Sequence, residues 1–473
     1  MPRPQPGTGL RREVRAAEGK ALRGRVARSA HANWRAPTKG RDPIAILLRS
    51  DVGRIPTLVP IRYARMLESP FAFLRGSAAV MAFDLARTPV TGVRVQACGD
   101  CHLMNFGAFA TPERNVIFDI NDFDETLPAP WEWDIKRLAA SIMVAGRYRG
   151  FGERQCSEAV RAAVCAYREH LAEYATWPEL QVWYARIDAE GMVAKASKVK
   201  HFLPGTDSNA RAAANMSARL LPKLTEVVGG RRRIKDEPPL LYHPRRERAF
   251  ERHIRAAIER YRCSLPDERR ALVERFEVID VAMKVVGVGS VGTFCAVALL
   301  EADVDDPLFL QLKQARPSVL EPYAGKSAYR NQGERVVVGQ RLMQSASDMF
   351  LGWARIGKPQ LDFYFRQLRD MKVSVNLDTL PLAGFINYAG YCGWAVARAH
   401  AKTGDPALIS GYLGRSDAFD EALGSFARRY ADQTERDFAA LVKAAKSGRI
   451  RTDVGLGLTS ARPIGHATFR GVD

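Results

Sequence analysis

The chain has 473 residues, of which 47% are hydrophobic and 26% charged, a balance typical of a globular protein of two or three domains. No apolar run is long enough to cross a bilayer, and the N-terminal residues lack the apolar core of a secretory signal. Seven scattered cysteines argue against a disulfide framework, so a cytoplasmic enzyme is expected. The formal net charge of +19 favours anionic partners, including nucleotides, phosphorylated metabolites, nucleic acid and lipid surfaces.

Basic residues are concentrated in two segments. Residues 1–40 carry ten Lys or Arg against two Asp or Glu and are interpreted as a basic N-terminal arm. A second cluster, Arg231-Arg232-Arg233-Ile234-Lys235, lies between a Gly-Gly and a Pro-Pro pair. Both are interpreted as solvated surface segments, because a run of charge alone does not define a binding site. Nucleic acid stays open as a partner, although no recognised nucleic-acid-binding motif accompanies either segment.

In the first half of the chain, hydrophobic periodicity predicts helices over residues 42–48 and 61–86 and strands over 93–97 and 115–120. From residue 131 to about 275 the pattern is largely helical. The clearest helical face is formed by Cys156, Val160, Val164, Tyr167, Leu171 and Tyr174.

Near residue 280 the pattern changes, and Val281–Val286, Thr293–Leu300 and Leu308–Lys313 predict three consecutive antiparallel strands. A helix over 328–347 and strands near 350–353 and 362–368 follow. A second clear helical face is formed by Phe385, Tyr388, Ala389, Cys392, Val396 and Ala399. The predicted parts are a basic arm (1–40), a mainly helical lobe (41–280), a small β-rich lobe of five strands and one helix (281–375) and a helical segment that completes the larger lobe (376–473).

The segment from Gly99 to Glu125, GDCHLMNFGAFATPERNVIFDINDFDE, concentrates acidic and amide side chains along a predicted loop–strand–loop. Such oxygen ligands suit magnesium, which takes one or two carboxylates from the protein and shares its other positions with phosphates. Asp122 is favoured as the main ligand because Asp122-Phe123-Asp124 leaves the strand, while Asp119 could lie within the sheet. The alternative to a metal site is that these carboxylates only cap helices and stabilise turns. The candidate metal ligands are Asn105, Asp119, Asp122 and Asp124.

Asp100 is followed five residues later by Asn105. In phosphoryl transfer of the protein-kinase type, an Asp at this spacing orients or deprotonates the acceptor hydroxyl, the Asn holds magnesium, and a later Asp chelates the metal. Asp122 stands where that later Asp is expected. Cys98-Gly99-Asp100-Cys101 also matches a CxxC redox or zinc motif, but no second CxxC completes a zinc site.

A glycine-rich element lies nearly 200 residues downstream, at Gly287-Val288-Gly289-Ser290-Val291-Gly292. The residues after it are β-branched and aromatic, which favours the strand of a kinase-type glycine loop over the helix of a dinucleotide-binding one. Lys313 ends the second strand after this loop, which is the position of the lysine that binds nucleotide phosphates in kinases. Glu334 is predicted to pair with Lys313, with Glu321 as the alternative. The predicted phosphate-binding residues are Gly287, Gly289, Ser290, Gly292 and Lys313.

The order of these elements is the reverse of the order in ordinary kinases, where the glycine loop and lysine come first. A circular permutation would produce this order, and close chain termini make permutation physically tolerable. The fold expected is therefore α+β, a protein-kinase-like two-lobe fold with the catalytic-loop lobe first. This hypothesis requires Asp100, Asp122 and Lys313 to face one cleft within roughly 10 Å.

Several stretches resemble a bacterial family catalogued as domain of unknown function 2252, among them Ser69–Gly76, Gly99–Gly107 and Phe118–Glu125. More remotely, the GDCHLMN loop is similar to the GD-x-H-x-x-N loop of aminoglycoside phosphotransferases and choline-kinase-like enzymes. That resemblance implies roles for five residues: Asp100 as the base, Asn105 and Asp122 as metal ligands, His102 as a loop-shaping residue and Asp134 as a brace for the loop.

The expected function is that of an ATP- and magnesium-dependent phosphotransferase acting on an unknown hydroxyl-bearing acceptor. Transfer of an adenylyl group would use similar parts and stays open. One alternative is a metal-dependent phosphoester hydrolase in which the carboxylates act without ATP. Another is a non-catalytic basic protein that binds nucleotides or nucleic acid.

Overall fold

A computed structural model describes residues 11–37, 39–188, 216–244, 247–357, 360–368 and 375–452. Within them the chain combines α-helices with antiparallel sheets, which confirms the α+β class. None of the helices in these ranges has the length and apolarity needed to span a membrane.

The α-helices of the described residues are, in chain order, α1 (Arg12–Ala21), α2 (Pro43–Ser50), α3 (Val59–Met66), α4 (Pro70–Gly76), α5 (Ala78–Leu85), α6 (Trp131–Tyr148), α7 (Glu153–Tyr174), α8 (Glu179–Tyr184), α9 (Met216–Leu224), α10 (Glu247–Arg262), α11 (Asp267–Val273), α12 (Glu321–Ala324), α13 (Gln332–Met343), α14 (Leu382–Thr403), α15 (Pro406–Leu413) and α16 (Ala418–Lys446). The strands are β1 (Arg94–Ala97), β2 (Phe106–Ala110), β3 (Val116–Ile120), β4 (Leu127–Pro130), β5 (Thr225–Val228), β6 (Arg231–Ile234), β7 (Leu241–Tyr242), β8 (Glu277–Lys284), β9 (Cys295–Glu301), β10 (Pro307–Ala315), β11 (Gly352–Ile356) and β12 (Leu361–Gln367).

Residues 61–86 are largely helical, as predicted, but the helical stretch is divided into three short helices, α3, α4 and α5. Proline disfavours the helical conformation in the residue before it, and Ser69, which precedes Pro70, is extended. The Ser69 hydroxyl then accepts a hydrogen bond from the Ala72 amide (3.0 Å), so the same pair that ends one helix caps the next.

A six-stranded antiparallel sheet, in the order β11-β12-β10-β9-β8-β7, forms the β-rich part of the molecule. The five predicted strands are present, and the short β7 adds a sixth at the edge. Alternate residues of β10 face opposite sides: Leu310 and Leu312 pack with α10, while Phe309 packs with α9. The helix predicted over 328–347 is the shorter α13, which begins where Asn331 caps it.

The region expected to be helical from 131 to about 275 also contains a hairpin, β5–β6, which that prediction missed. Gly229 and Gly230 both have positive φ angles (59° and 79°) at its turn, a conformation that glycine adopts without strain. The second basic cluster is therefore largely an edge strand, in which Arg232 pairs with Glu301 (3.0 Å) and Asp305 (2.6 Å).

The large helical core is built around α6, α7, α14 and α16. Gly393 lets α14 approach α7 closely, since a Cβ at this position would lie 1.9 Å from the Ala163 carbonyl oxygen. Every residue of the two predicted helical faces is buried, which confirms both: Cys156, Val160, Val164, Tyr167, Leu171 and Tyr174, and Phe385, Tyr388, Ala389, Cys392, Val396 and Ala399.

The described part of the predicted basic arm packs against helices instead of extending into solvent. Arg23 donates to the carbonyl oxygens of Tyr412 (2.8 Å) and Gly411 (2.6 Å), and Arg28 donates to that of Leu413 (2.6 Å). These guanidinium groups satisfy carbonyls at the end of α15, where cations are favoured. Residues 1–10 lie outside the described residues.

Candidate functional site

A cleft of about 240 Å³ lies where three loops meet helices near the N-terminus. The loops are the one between β1 and β2, the one between β3 and β4, and the glycine loop between β8 and β9. The polar and glycine residues that line it are Ser50, Arg54, Arg62, Arg75, Gly76, Asp100, His102, Asn105, Asn121, Asp122, Asp124, Glu125, Gly287, Gly289, Ser290, Thr293, Gln314 and Arg316.

The loop after β1 is held by its own glycine and by helix α6. Gly99 has φ +84°, and a Cβ there would lie 2.3 Å from the Glu125 carbonyl oxygen. Asp134, in the first turn of α6, accepts hydrogen bonds from the amides of Cys98 (2.6 Å) and Gly99 (2.9 Å). These contacts fix the backbone just before Asp100, as the expected bracing role of Asp134 requires.

Asp100 has one carboxylate oxygen held by protein and one facing the cleft. Its Oδ1 accepts from Arg137 Nε (2.5 Å), and Arg137 is itself buried and donates to the Leu74 carbonyl oxygen (3.0 Å). Its Oδ2 lies 3.9 Å from His102 Nε2. Burial lowers the pKa of His102 to about 4, so this imidazole is neutral at neutral pH. Arg137 therefore orients the carboxylate and leaves Oδ2 for a ligand.

Asn105 joins the two acidic loops. Its Nδ2 donates to the backbone oxygens of Asp122 (2.9 Å) and Asp100 (3.2 Å) and approaches the Cys98 Sγ (3.4 Å). In the described chain no hydrogen bond reaches its Oδ1, although the residue lines the cleft. The amide nitrogen thus fixes the loops, and the amide oxygen is available as a metal ligand.

Lys313 reaches this acidic strip from β10. Its Nζ lies 2.8 Å from Asp124 Oδ2 and 3.6 Å from Asp122 Oδ2. Burial lowers the pKa of Lys313, but the neighbouring Asp122 and Asp124 outweigh it, so the pKa lies well above 10.5. The side chain of Lys313 is 3% exposed, whereas those of Asp122 and Asp124 are 43% and 28% exposed. A buried cation thus holds two accessible carboxylates.

Asp119 is not part of the cleft, so its prediction as a metal ligand is wrong. Both of its oxygens accept from Arg398 (2.7 and 2.8 Å), and both side chains are fully buried. Its Oδ2 also accepts from the Ser345 amide (2.9 Å). Because β3 continues past Asp119 into the core, this carboxylate serves the packing of β3 on α14.

The predicted pair of Lys313 with Glu334 is also wrong. The ion pairs of Lys313 among the described residues are those with Asp122 and Asp124. The neighbouring Arg335, rather than Glu334, connects α13 to the acidic strip, because it donates to the backbone oxygens of Asp124 (2.8 Å) and Thr126 (2.6 Å). Glu321, the alternative partner, forms no ion pair with Lys313 in these residues either.

The glycine loop lines the same cleft as Asp100 and is held by Arg54 and Ile55. Gly287, Gly289 and Ser290 line the cleft, while Gly292 packs on the side chain of Arg54. Ile55 donates from its amide to the Gly292 carbonyl oxygen (2.7 Å). Of the predicted phosphate-binding residues, Gly287, Gly289 and Ser290 therefore line the cleft together with the acidic strip, whereas Gly292 anchors the loop and Lys313 is not among the lining residues.

Cys98 and Cys101, the two cysteines of the CxxC motif, lack the features of a redox or zinc centre. Cys98 and Cys101 are free and fully buried, and burial raises the pKa of Cys101 well above 9. Buried thiols of this kind are unreactive. No group of three His, Cys, Asp or Glu side chains in the described ranges forms a metal cluster. Two carboxylates and an amide oxygen suit a metal ion that shares its remaining positions with phosphates.

Comparison with known proteins then places the chain. Residues 54–444 match the family described as an uncharacterized protein conserved in bacteria, DUF2252. This chain belongs to the DUF2252 family. Neither the comparison with curated proteins nor that with solved structures found a significant match.

In this DUF2252 chain, the family region includes the whole cleft apart from Ser50. It therefore includes residues that sequence reasoning did not assign to the site. The most important of these are four arginines that line the cleft together with the carboxylates: Arg54, Arg62, Arg75 and Arg316. Arg75 stands in one of the stretches that resemble the family, which was the only sequence signal for any of them.

Proposed function

We propose that this DUF2252 protein is an ATP- and magnesium-dependent phosphotransferase with a circularly permuted, protein-kinase-like two-lobe fold. The observation that carries the proposal is the contact of Lys313 with Asp124 and Asp122 beside the glycine loop. A lysine from a sheet, a metal-binding Asp and a glycine loop are the parts that hold nucleotide phosphates in kinases.

The order of elements in the β-rich part supports the same proposal. The glycine loop joins the first two strands of the pattern, β8 and β9, and Lys313 lies on the third, β10. A helix, α13, follows before the last two strands, β11 and β12. This matches the kinase arrangement of glycine loop, β3 lysine and following helix. The partner of the lysine differs from that in kinases, where the helix after the lysine strand supplies a glutamate that pairs with the lysine. Here α13 supplies Arg335, which donates to the backbone oxygen of Asp124.

The cleft residues have distinct roles in this proposal. Asp122 and the Asn105 side-chain oxygen would hold magnesium, which supplies charge neutralisation for the phosphates. Lys313 and the glycine loop would bind the phosphates, and Asp100 would orient the acceptor hydroxyl through its Oδ2. In transfer, the acceptor oxygen bonds to the γ-phosphorus as the bond from that phosphorus to the ADP oxygen breaks. The bonding pair leaves with ADP, and the hydroxyl proton passes to Asp100 and then to water.

The packing of the N-terminal residues argues against a nucleic-acid-binding arm in the described part of the chain. Arg23 and Arg28 are engaged by backbone carbonyls of α15, and Arg12 donates to the Trp177 carbonyl oxygen (2.5 Å). Phosphate contacts by these guanidinium groups would require those bonds to break. The cleft, which combines arginines with accessible carboxylates, is a better place for a nucleotide.

Calorimetric titration of ADP and ATP with and without magnesium tests the proposal on wild type, Asp122→Asn and the control Asp303→Asn, an exposed turn residue. We expect magnesium-dependent binding by wild type and the control, and at least about tenfold weaker binding by Asp122→Asn. Absence of magnesium-dependent nucleotide binding by wild type would overturn the proposal. Hydrolysis of a phosphate ester without such binding would favour a metal-dependent hydrolase instead.

A further inference from the structure

Arg75 is a cationic side chain in the cleft that has no hydrogen-bond or ion-pair partner among the described residues. It is the penultimate residue of α4 and lines the same cavity as Asp100 and the glycine loop. Its Nε has no access to solvent and no hydrogen-bond partner. Over the described ranges, no salt bridge or hydrogen bond engages its guanidinium group.

The other three arginines that line the cleft bind groups of the protein itself. Arg62 donates to Asp51 (2.6 Å) and to the Gly76 carbonyl oxygen (2.9 Å). Arg54 donates to the Val291 carbonyl oxygen (2.6 Å), and Arg316 donates to that of Ser50 (3.1 Å). Arg75 differs from these three because its charge has no such partner.

The surroundings of Arg75 explain where its ligand would lie. Its carbonyl oxygen packs against the glycine loop, since a Cβ on Gly289 would lie 3.1 Å from it. Asp100 is the charged group that acts most strongly on its guanidinium. Arg75 therefore has its backbone beside the loop that would hold the donor phosphates, and it lines the same cleft as the carboxylate that would orient the acceptor.

Leaving this cation without a partner carries a cost. Burial lowers the pKa of Arg75, because a desolvated guanidinium is less stable than a hydrated one. Asp100 forms no salt bridge with Arg75 in the described residues: its Oδ1 accepts from Arg137, and its Oδ2 lies beside His102. An anion between Asp100 and Gly289 would restore the missing hydrogen bonds, and arginine forms planar, two-point contacts with phosphoryl oxygens.

We propose that Arg75 binds the phosphoryl group while it is transferred, as an arginine supplied by the chain to its own active site. The inference rests on the proposed function. The γ-phosphorus gains a bond to the acceptor oxygen and loses its bond to the ADP oxygen, which keeps the electron pair. Charge spreads over the three remaining oxygens of the phosphoryl group, and Arg75 stabilises that charge. The acceptor proton goes to Asp100.

The test uses aluminium fluoride, which together with ADP and magnesium mimics the transferred phosphoryl group. The affinity for ADP is measured by calorimetry with and without fluoride, on wild type, Arg75→Gln, Arg75→Lys and the exposed control Arg49→Gln. Wild type and control should bind ADP at least about tenfold more tightly with aluminium fluoride. Arg75→Gln should lose this gain while binding ADP alone as wild type does, and Arg75→Lys should keep part of the gain.

Each other result has a separate meaning. If Arg75→Gln keeps the full gain, or if wild type shows none, the inference about Arg75 is wrong. If Arg75→Gln weakens ADP alone as much as it weakens the fluoride complex, the arginine binds the nucleotide rather than the transferred group, and the inference is again wrong. If wild type does not bind ADP at all, the proposed function itself fails. Thermal unfolding of each variant identifies a loss that comes from misfolding.

Discussion

Lys313 Nζ and Asp124 Oδ2 lie 2.8 Å apart although 189 positions separate the two residues in the sequence. Tyr364 donates from its hydroxyl to the other oxygen of Asp124 (2.6 Å). The pair therefore joins the six-stranded sheet to the loop that follows β3. The glycine loop and the acidic strip line one cleft, whereas Lys313 is not among its lining residues and contacts it through Asp122 and Asp124.

The coupling between Lys313 and Asp124 can be measured directly. Lys313→Met, Asp124→Asn and the double variant should show a coupling free energy of about 1–3 kcal/mol in urea unfolding, because the lysine is buried and its partner is half-buried. The exposed pair Arg161–Asp417 serves as a control and should couple by less than about 1 kcal/mol. Equal coupling of the two pairs would contradict the structural role assigned to Lys313.

The same substitution should destabilise the protein far more at Asp119 than at Asp122. Asp119→Asn leaves Arg398 buried with a weakened partner, so we expect a loss of about 3–5 kcal/mol in the free energy of unfolding. Asp122→Asn removes a 43% exposed carboxylate and should change that free energy by less than about 1 kcal/mol. Urea unfolding of both variants checks this. A similar loss in both would mean that Asp122 is also structural.

The parts of the fold that could be predicted are those with strong local patterns. The strands of the β-rich part are separated by glycine and Asp-Pro turns, and α7 and α14 have long apolar faces, so each leaves a clear period in the sequence. Within 61–86 the pattern did not show where the helices end, because the apolar residues continue through Ser69-Pro70, and capping there overrides the period. The Gly229-Gly230 pair is typical of a hairpin turn and could have indicated the β5–β6 hairpin, which the prediction of helix through this region missed.

The site could be predicted only where residue type and spacing were both informative. Asp100, Asn105 and Asp122 share one motif, and the structure brings them together. The sequence favoured Asp122 over Asp119 but did not exclude Asp119 as a ligand, because the partner that occupies it, Arg398, lies 279 positions away. Arg75 is one of 71 Lys and Arg residues, and no local pattern indicates which of them faces a cleft.

The stability of the protein should depend on pH through Glu125. Burial raises the pKa of Glu125 from 4.5 to about 7, although the Val319 amide donates to its Oε2 (2.7 Å). Between pH 4.5 and 7 the folded chain therefore binds more protons at this site than the unfolded chain, and stability falls as the pH rises. Above that window the loss of stability is constant, at up to about 3 kcal/mol.

Glu125→Gln should remove this contribution, because the amide oxygen can still accept from Val319 and no charge is buried. The variant should therefore gain stability relative to wild type as the pH is raised from 4 to 8, measured by urea unfolding across that range. Glu268→Gln, at an exposed position, is the control and should follow wild type. Parallel curves for wild type and Glu125→Gln would show that Glu125 ionises normally in the folded state.

Gly99 and Gly92 allow two costs of a glycine substitution to be separated. Both have positive φ angles, +84° and +89°, so alanine at either site carries a backbone strain of about 1 kcal/mol. Around Gly92 no atom lies within 4 Å of the added Cβ, whereas at Gly99 that atom would lie 2.3 Å from the Glu125 carbonyl oxygen. Gly99→Ala should thus lose at least about 2 kcal/mol more than Gly92→Ala in urea unfolding.

The same comparison tests whether the loop after β1 and the loop after β3 must touch for binding. A Cβ at Gly99 would push the Glu125 backbone away and move Asp124 and Asp122 relative to Asp100. We therefore expect Gly99→Ala to lose magnesium-dependent ADP binding under conditions where it is still folded, while Gly92→Ala keeps it. If Gly99→Ala folds and binds ADP as wild type does, the close approach of the two loops matters for packing alone, and the carboxylates can act without it.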